Sequence, residues 1–280
     1  MKKISRRSFL AASGLTIAAL ALTACGGSAS TASSAASSVA ASSEAASTSA
    51  AAAELTTVEA GKLTMATNAA FPPYEMTTDA GAFEGIDIDT AQAIADKLGL
   101  ELQIDDMDFD AALLSVQQGK ADIVMAGVTV TDERKNVMDF SDSYATGIQS
   151  IIVPEGSDIA SPDDLAGKKI GTQRGTTGYI YCSDDFGDDA VVAYDDGLTA
   201  VQALNNGQVD AVVIDNAPAK EFVAANPGLV ILDTSYAEED YAIGMAKGNT
   251  ALEDAVNAAL EELKADGTLQ SIVDKYITAE

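Results

Sequence analysis

One segment of this sequence occurs twice. Ala112-Leu-Leu-Ser-Val-Gln-Gln-Gly119-Lys-Ala-Asp122-Ile-Val-Met-Ala-Gly127 aligns without a gap to Ala200-Val-Gln-Ala-Leu-Asn-Asn-Gly207-Gln-Val-Asp210-Ala-Val-Val-Ile-Asp215, which lies 88 residues further on. Each copy has the pattern of a helix closed by glycine, followed by an apolar run of strand length that stops where the sequence turns polar. A helix–strand unit cannot bury its apolar face alone, so two copies this far apart predict two α/β lobes rather than one large domain. In open parallel sheets, ligands gather outside the carboxyl ends of strands. The alignment makes Gly127 and Asp215 equivalent strand ends, and so nominates both, from different lobes, for one cleft.

The first copy runs into Ala126-Gly-Val-Thr-Val-Thr-Asp-Glu-Arg134-Lys135. Ile123 to Ala126 reads as a short buried strand, Gly127 lets backbone approach a ligand closely, and Thr131 is an N-cap for a helix running through Val137. Arg134 then falls in the first helical turn, where unpaired N–H groups and the positive dipole end disfavour a cation unless an anion also arrives. Two readings stand side by side at this point. Arg134 is an exposed charge paired with Asp132 or Glu133, or it is a guanidinium set to hold a carboxylate in bidentate fashion.

Elsewhere helix and strand patterns alternate, as an α/β chain requires. Lys62 to Thr67 reads as a strand, Asp87 or Asp89 as the cap of a helix ended at Gly99, and Leu100, Leu102 and Ile104 as the next strand. Ser161-Pro162-Asp163-Asp164 is a helix start, Lys169 to Thr172 a strand, and Gln173-Arg-Gly175-Thr-Thr-Gly178 a turn opening a helix. That Gly/Thr turn either donates backbone N–H groups to an anion or simply joins strand to helix. The carboxyl-terminal part reads as helix Ala217 to Ala225, strand Val230 to Leu232, an apolar stretch Tyr241 to Ala246, a helix from Thr250 to about Lys264, and a further turn from Ser271 to Tyr276.

Composition removes several function classes. The chain has no histidine, which excludes imidazole bases, Ser-His-Asp triads and His-rich metal sites; neither a metal nor a cofactor is expected. With 16 Lys+Arg against 43 Asp+Glu, nucleic acid and anionic surfaces are disfavoured as partners. At the amino terminus, Lys2, Lys3, Arg6 and Arg7 precede an apolar run from Phe9 to Ala24, short for a membrane span and suited to a signal peptide over residues 1–24. Residues 26 to 53 are almost only Ser, Ala, Thr and Gly, too little side chain for a core, so residues 25–54 are expected to serve as a tether of roughly 30 Å root-mean-square span. Only Cys182 remains if Cys25 is modified, so no intrachain disulfide is expected.

Three resemblances sharpen this. Leu22-Thr-Ala-Cys25 resembles the lipobox of bacterial lipoproteins, which implies cleavage before Cys25 and a lipid on its thiol. Ser5-Arg-Arg-Ser-Phe-Leu10 is similar to a twin-arginine export signal, leaving that route and ordinary secretion both open. Across residues 62 to 276, the motifs Phe71-Pro-Pro-Tyr74-Glu75, Gly85-Ile-Asp-Ile-Asp89, Met107-Asp-Phe109, Ala126 to Arg134, Asp139-Phe-Ser141, Gln173-Arg-Gly175-Thr-Thr177 and Val209 to Asp215 occur in the order found in extracytoplasmic solute-binding proteins of polar amino-acid ABC importers. The resemblance implies a two-lobed periplasmic-binding-protein type II fold, with lobe 1 formed by 55–148 plus 241–280 and lobe 2 by 149–240. The two crossover strands would lie near Thr146–Val153 and Glu238–Ala246.

The same resemblance implies roles. Arg134, with the Thr129 and Thr177 region, would grip the α-carboxylate of a free amino acid, while Asp215 and the Gly127 carbonyl would take its α-ammonium. Phe71 and Phe109 would sandwich the side chain, and Asn68, Tyr74, Gln173 and Ile214 would shape selectivity. Asn68 stands where members binding cationic or glutamine-like ligands often carry an acid, which weakens the case for a lysine-, arginine- or histidine-like ligand. Thr90 replaces a usual aliphatic residue, a minor packing change. The expected protein is a monomer without catalysis, anchored outside the cytoplasm and partnered by a membrane permease and its ATPase. Two other classes stay open: a dehydratase-like enzyme using Asp215 or Glu75 as acid or base, and a ligand-sensing domain.

Overall fold

The computed structural model describes residues 55–277, which belong to one compact unit. The expected signal segment, the Ser/Ala tether and Cys25 lie outside these residues. Two sheets organise the fold. In the first, strands Glu101–Asp106, Lys62–Thr67 and Ile123–Val124 run parallel, and Gly244–Ala246 then pairs antiparallel with Ile123–Val124 and with Met138–Phe140. In the second, Val191–Tyr194, Ile170–Gln173 and Ala211–Asp215 run parallel, and Ala145–Pro154 pairs antiparallel with Ala211–Asp215, Leu229–Ile231 and Ala237–Tyr241. The strands of the two repeat copies therefore occupy the same place in their sheets, third in a parallel trio and next to an antiparallel strand. Their helices, Phe109–Gln117 and Gly197–Asn205, are each followed by a glycine at positive φ, Gly119 at +65° and Gly207 at +67°.

The repeat also explains a pair of aspartates. Asp122 accepts hydrogen bonds from the backbone N–H groups of Thr64 and Val58, each 2.7 Å, and Asp210 accepts one from Lys169 at 2.7 Å. In both copies a carboxylate ahead of the third strand captures a donor at the start of the neighbouring strand. These N–H groups lie before the ladder closes and would otherwise lack partners.

The cores follow the apolar faces. Leu63, Met65, Ile94, Ile123, Met245, Val256 and Leu260 are fully buried, and helix Thr250–Ala265 packs with Thr268–Tyr276 against helix Ile86–Leu98. At roughly 25 cal/mol per Å², such side chains each stabilise the fold by about 2 kcal/mol. On the second sheet Ile151, Leu165, Ile170, Cys182 and Val213 form another cluster.

Three local expectations need correction. The helix starting after Thr131 is a single turn, Asp132–Lys135, because Met138–Phe140 is taken up as an edge strand by Gly244–Ala246. Helix Ile86–Leu98 is capped by Gly85, not by Asp87 or Asp89: Gly85 sits at φ 134°, where any Cβ would run into the Tyr74 carbonyl, and Asp87 turns inward, wholly buried. Ser161 to Leu165 makes a 3-10 turn rather than an α-helix.

Ala145–Pro154 and Ala237–Tyr241 pair antiparallel, with Tyr241 opposite Ala145 and Glu239 opposite Gly147. A β-bridge between Thr129 and Tyr241 ties this pair back to the loop after Ile123–Val124. The Tyr241 ring lies against Gly147, leaving no room for a Cβ. In Ala237–Tyr241 burial alternates, with Glu239 and Tyr241 inside and Glu238 and Asp240 outside.

Candidate ligand-binding site

The carboxyl ends of the two central strands face one cavity. Its wall includes Asn68, Phe71, Phe109, Gly127, Thr129 and Arg134 from the side of the first sheet, and Gln173, Thr177, Ile214 and Asp215 from the second. The remaining void is about 20 Å³, room for about one water. Ten of the eleven ligand-binding positions expected from sequence meet here. Tyr74 does not: it lies behind the wall, stacked on Phe71 at 5.7 Å and edge-on to Tyr241 at 5.5 Å, so it supports Phe71 instead of facing the cavity.

Arg134 is buried, which rules out the exposed-pair reading. The Thr131 hydroxyl caps its N–H at 3.1 Å, and the guanidinium donates to the Thr129 carbonyl at 2.8 Å and to the Gly175 carbonyl at 3.1 Å. Its carbon stands 5.4 Å from the centre of the Phe109 ring, a cation–π placement. Burial lowers its pKa, opposed chiefly by the charge of Glu239. Arginine still stays protonated at any physiological pH.

Asp215 ends the second repeat strand and caps helix Asn216–Ala225. One carboxylate oxygen accepts from Ala217 N–H at 2.9 Å and the other from Ile148 N–H at 2.8 Å. Burial raises its pKa; these two N–H groups and the Tyr241 phenol pull the other way. A carboxylate has about four lone-pair sites, so Asp215 keeps acceptor capacity for an incoming cation.

Gly127 lies at φ +55°, and a Cβ there would press on Phe71 and Tyr241, so ring packing as well as backbone conformation requires glycine. Its N–H donates to Asp87 at 3.0 Å. Asp87 also accepts from the Tyr144 hydroxyl at 2.8 Å and lies beside Glu75, wholly buried like itself. Burial, reinforced by the Asp87 charge, raises Glu75 well above the usual carboxylate range. A protonated Glu75 supplies the donor that two adjacent carboxylates would lack. Across the cavity, the Gln173 amide donates to the Asn68 carbonyl oxygen at 2.8 Å, and the Asn68 amide donates to the Met107 carbonyl at 2.9 Å.

Gln149, Thr176 and Tyr241 line the cavity without having been anticipated, and Glu239 lies beneath it. One Glu239 oxygen accepts from the Thr129 hydroxyl at 3.1 Å, the Thr177 hydroxyl at 3.0 Å and the Gln149 amide at 2.9 Å. The strand alternation that buries Tyr241 was the available signal, since it puts residue 239 on the same face. Among the described residues, no group of Asp, Glu and Cys could hold a metal ion, and no helix is long and apolar enough to cross a membrane.

Known proteins resemble this chain over the same span. The sequence profile of the bacterial extracellular solute-binding proteins, family 3, matches residues 63–279. The L-cystine-binding protein TcyJ of Escherichia coli (strain K12) is 33% identical over 226 residues, 79% of this chain and 85% of that protein. A probable histidine-binding protein of Neisseria gonorrhoeae is 32% identical over 276 residues, 96% of this chain and 95% of its own length. Among solved structures, an ancestral arginine-binding protein bound to glutamine superposes with a TM-score of 0.75 at 42% identity, covering 78% of this chain and 99% of that one. The fold is that of the two-lobed periplasmic binding proteins. By profile, identity and coverage, the chain belongs to the bacterial extracellular solute-binding proteins, family 3.

Proposed function

We propose that the protein binds a free L-amino acid between its two lobes and delivers it to the permease of an ABC importer. One observation carries the reading: a buried guanidinium and a buried carboxylate, Arg134 in the turn Asp132–Lys135 beside the first sheet and Asp215 at a strand end of the second, line a single cavity. An amino-acid zwitterion needs one cationic and one anionic partner a few ångströms apart. Arg134 takes the α-carboxylate, Asp215 the α-ammonium, and Phe71 and Phe109 bracket the side chain. The Asn68–Gln173 amide pair meets the side chain's polar end. Cystine-, histidine-, arginine- and glutamine-binding relatives support an amino-acid ligand. A void of about 20 Å³ cannot admit any of these, so entry requires the lobes to part about the crossover strands, near residues 148 and 240, and the ligand then stabilises the closed arrangement. Cys25 carries the lipid anchor.

A thermal-shift screen of the amino acids tests the class: a ligand at a hundred times its Kd stabilises by about 2.7 kcal/mol. Silence across the set would refute it. Arg134→Ala removes one partner of a desolvated charge contact, so affinity falls at least a hundredfold (~3 kcal/mol). Undiminished affinity would remove Arg134 from the site. Cys25→Ser moves the protein from the membrane fraction to the soluble fraction; retention in the membrane would refute the anchor.

A further inference from the structure

The cavity holds more negative charge than an amino-acid site needs. Arg134 is the positive side chain in its wall, against Asp215 in the wall and Glu239 directly beneath. One Glu239 oxygen takes the hydroxyl protons of both Thr129 and Thr177 and an amide proton of Gln149. Glu239 is only 7% exposed, and beyond these polar neighbours its carboxylate has the Tyr181 hydroxyl beside it but, among the described residues, no paired cation. A threonine hydroxyl has one proton, so Thr129 and Thr177, 3.4 Å apart, present lone pairs rather than donors to the cavity. Behind Gly127, the Asp87–Glu75 pair adds a further negative charge once Asp87 is ionised.

We infer that Glu239 is a specificity-determining residue that sets the net charge of the ligand: it excludes acidic amino acids and favours neutral and, above all, cationic ones. This rests on the amino-acid reading of the cleft. In a desolvated space uncompensated charges are expensive. Arg134, Asp215 and Glu239 together carry one excess negative charge. A zwitterion leaves that excess unchanged, an added side-chain cation cancels it, and an added side-chain carboxylate doubles it. The lone pairs that Glu239 turns toward the cavity act in the same sense, since they accept from ammonium or guanidinium donors and offer nothing to a carboxylate. The Thr129 and Thr177 hydroxyls thus leave the α-carboxylate to Arg134 and to the backbone of their region.

The test is competition against whichever amino acid gives the largest thermal shift, using L-arginine, L-glutamine and L-glutamate on the full chain released from the membrane by Cys25→Ser, with the cleft otherwise wild type. Glutamine and glutamate share shape and differ by one charge. In the wild type, glutamate competes at least a hundredfold more weakly than glutamine, and arginine at least as well as glutamine. E239Q keeps an acceptor oxygen for the three donors but removes the charge, so it narrows the glutamine-to-glutamate ratio at least tenfold; E238Q, at the exposed neighbour, leaves the ratio in place. A purely structural role for Glu239 would weaken both ligands equally and leave the ratio unmoved. Equal competition by glutamate and glutamine in the wild type, or an unchanged ratio in E239Q, overturns the assignment while the amino-acid reading survives. No competition or shift from any amino acid overturns that reading itself.

Discussion

Asp87 offers a direct measure of the charge buried behind the site. It is wholly buried, accepts from Gly127 N–H and Tyr144 hydroxyl, and its pKa is raised from 3.8 to about 6. Burial is the main cause; those two donors and Glu75 oppose it. A carboxyl whose folded pKa lies above its unfolded one binds more protons in the native state, so stability falls as pH rises through the interval between them. The stabilisation is fully present below about pH 4 and lost by about pH 6. A shift of roughly two units corresponds to about 3 kcal/mol. For a domain of this size that is roughly 6–12 °C in Tm.

Asp87→Asn removes the titration and keeps the shape. Its amide oxygen still accepts from Gly127 and Tyr144, and its NH₂ faces Glu75. Urea unfolding of both proteins at half-unit steps from pH 4 to 7 gives the readout. Net charge of −27 makes any variant of so acidic a chain repel itself more as pH rises, so the informative quantity is the difference between the two curves. Asp87→Asn gains about 3 kcal/mol on the wild type across that interval, most of it between pH 4 and 6. Curves that stay parallel within about 1 kcal/mol, or a wild type that gains on the variant as pH rises, would refute an ionising Asp87 at this position.

Two further substitutions probe the frame around the cleft. Gly147→Ala drives a Cβ into the Tyr241 ring between the crossover strands, and overpacking of this kind costs about 1–3 kcal/mol, read as a lower midpoint in urea; an unchanged midpoint would mean that the ring is not held there. Asp122→Ala removes a carboxylate that is 5% exposed, strands the buried Thr64 N–H and the part-buried Val58 N–H, and costs about 2–3 kcal/mol, whereas Asp210→Ala, at the exposed equivalent, costs about 1 kcal/mol or less. Equal losses would contradict the burial argument.

How far the sequence carries depends on which force fixes each residue. The repeat, the apolar strand runs and the Thr131 cap are local signals, and strand Lys62–Thr67 and helix Asn216–Ala225 form at or within one residue of the expected bounds. Strand ends lie where apolar runs stop, so Gly127 and Asp215 could be paired before any coordinates. Burial of charge is not local. Asp87 reads as a helix cap because Asp near a helix start usually caps; it points inward to take the Gly127 N–H and the Tyr144 hydroxyl, 40 and 57 residues away in sequence. Glu239 is harder still. In an acidic chain, Glu238-Glu239-Asp240 looks like solvated surface, and the residue that points in is chosen by register: Tyr241 opposite Ala145 places Glu239 opposite Gly147, on the inner face with the ring. A slip of one residue would bury Glu238 and Asp240 instead and expose Tyr241. The missing side chain at Gly147 and the bridge from Tyr241 to Thr129 hold the register, so the charge balance of the cleft is fixed by two residues that carry no charge themselves.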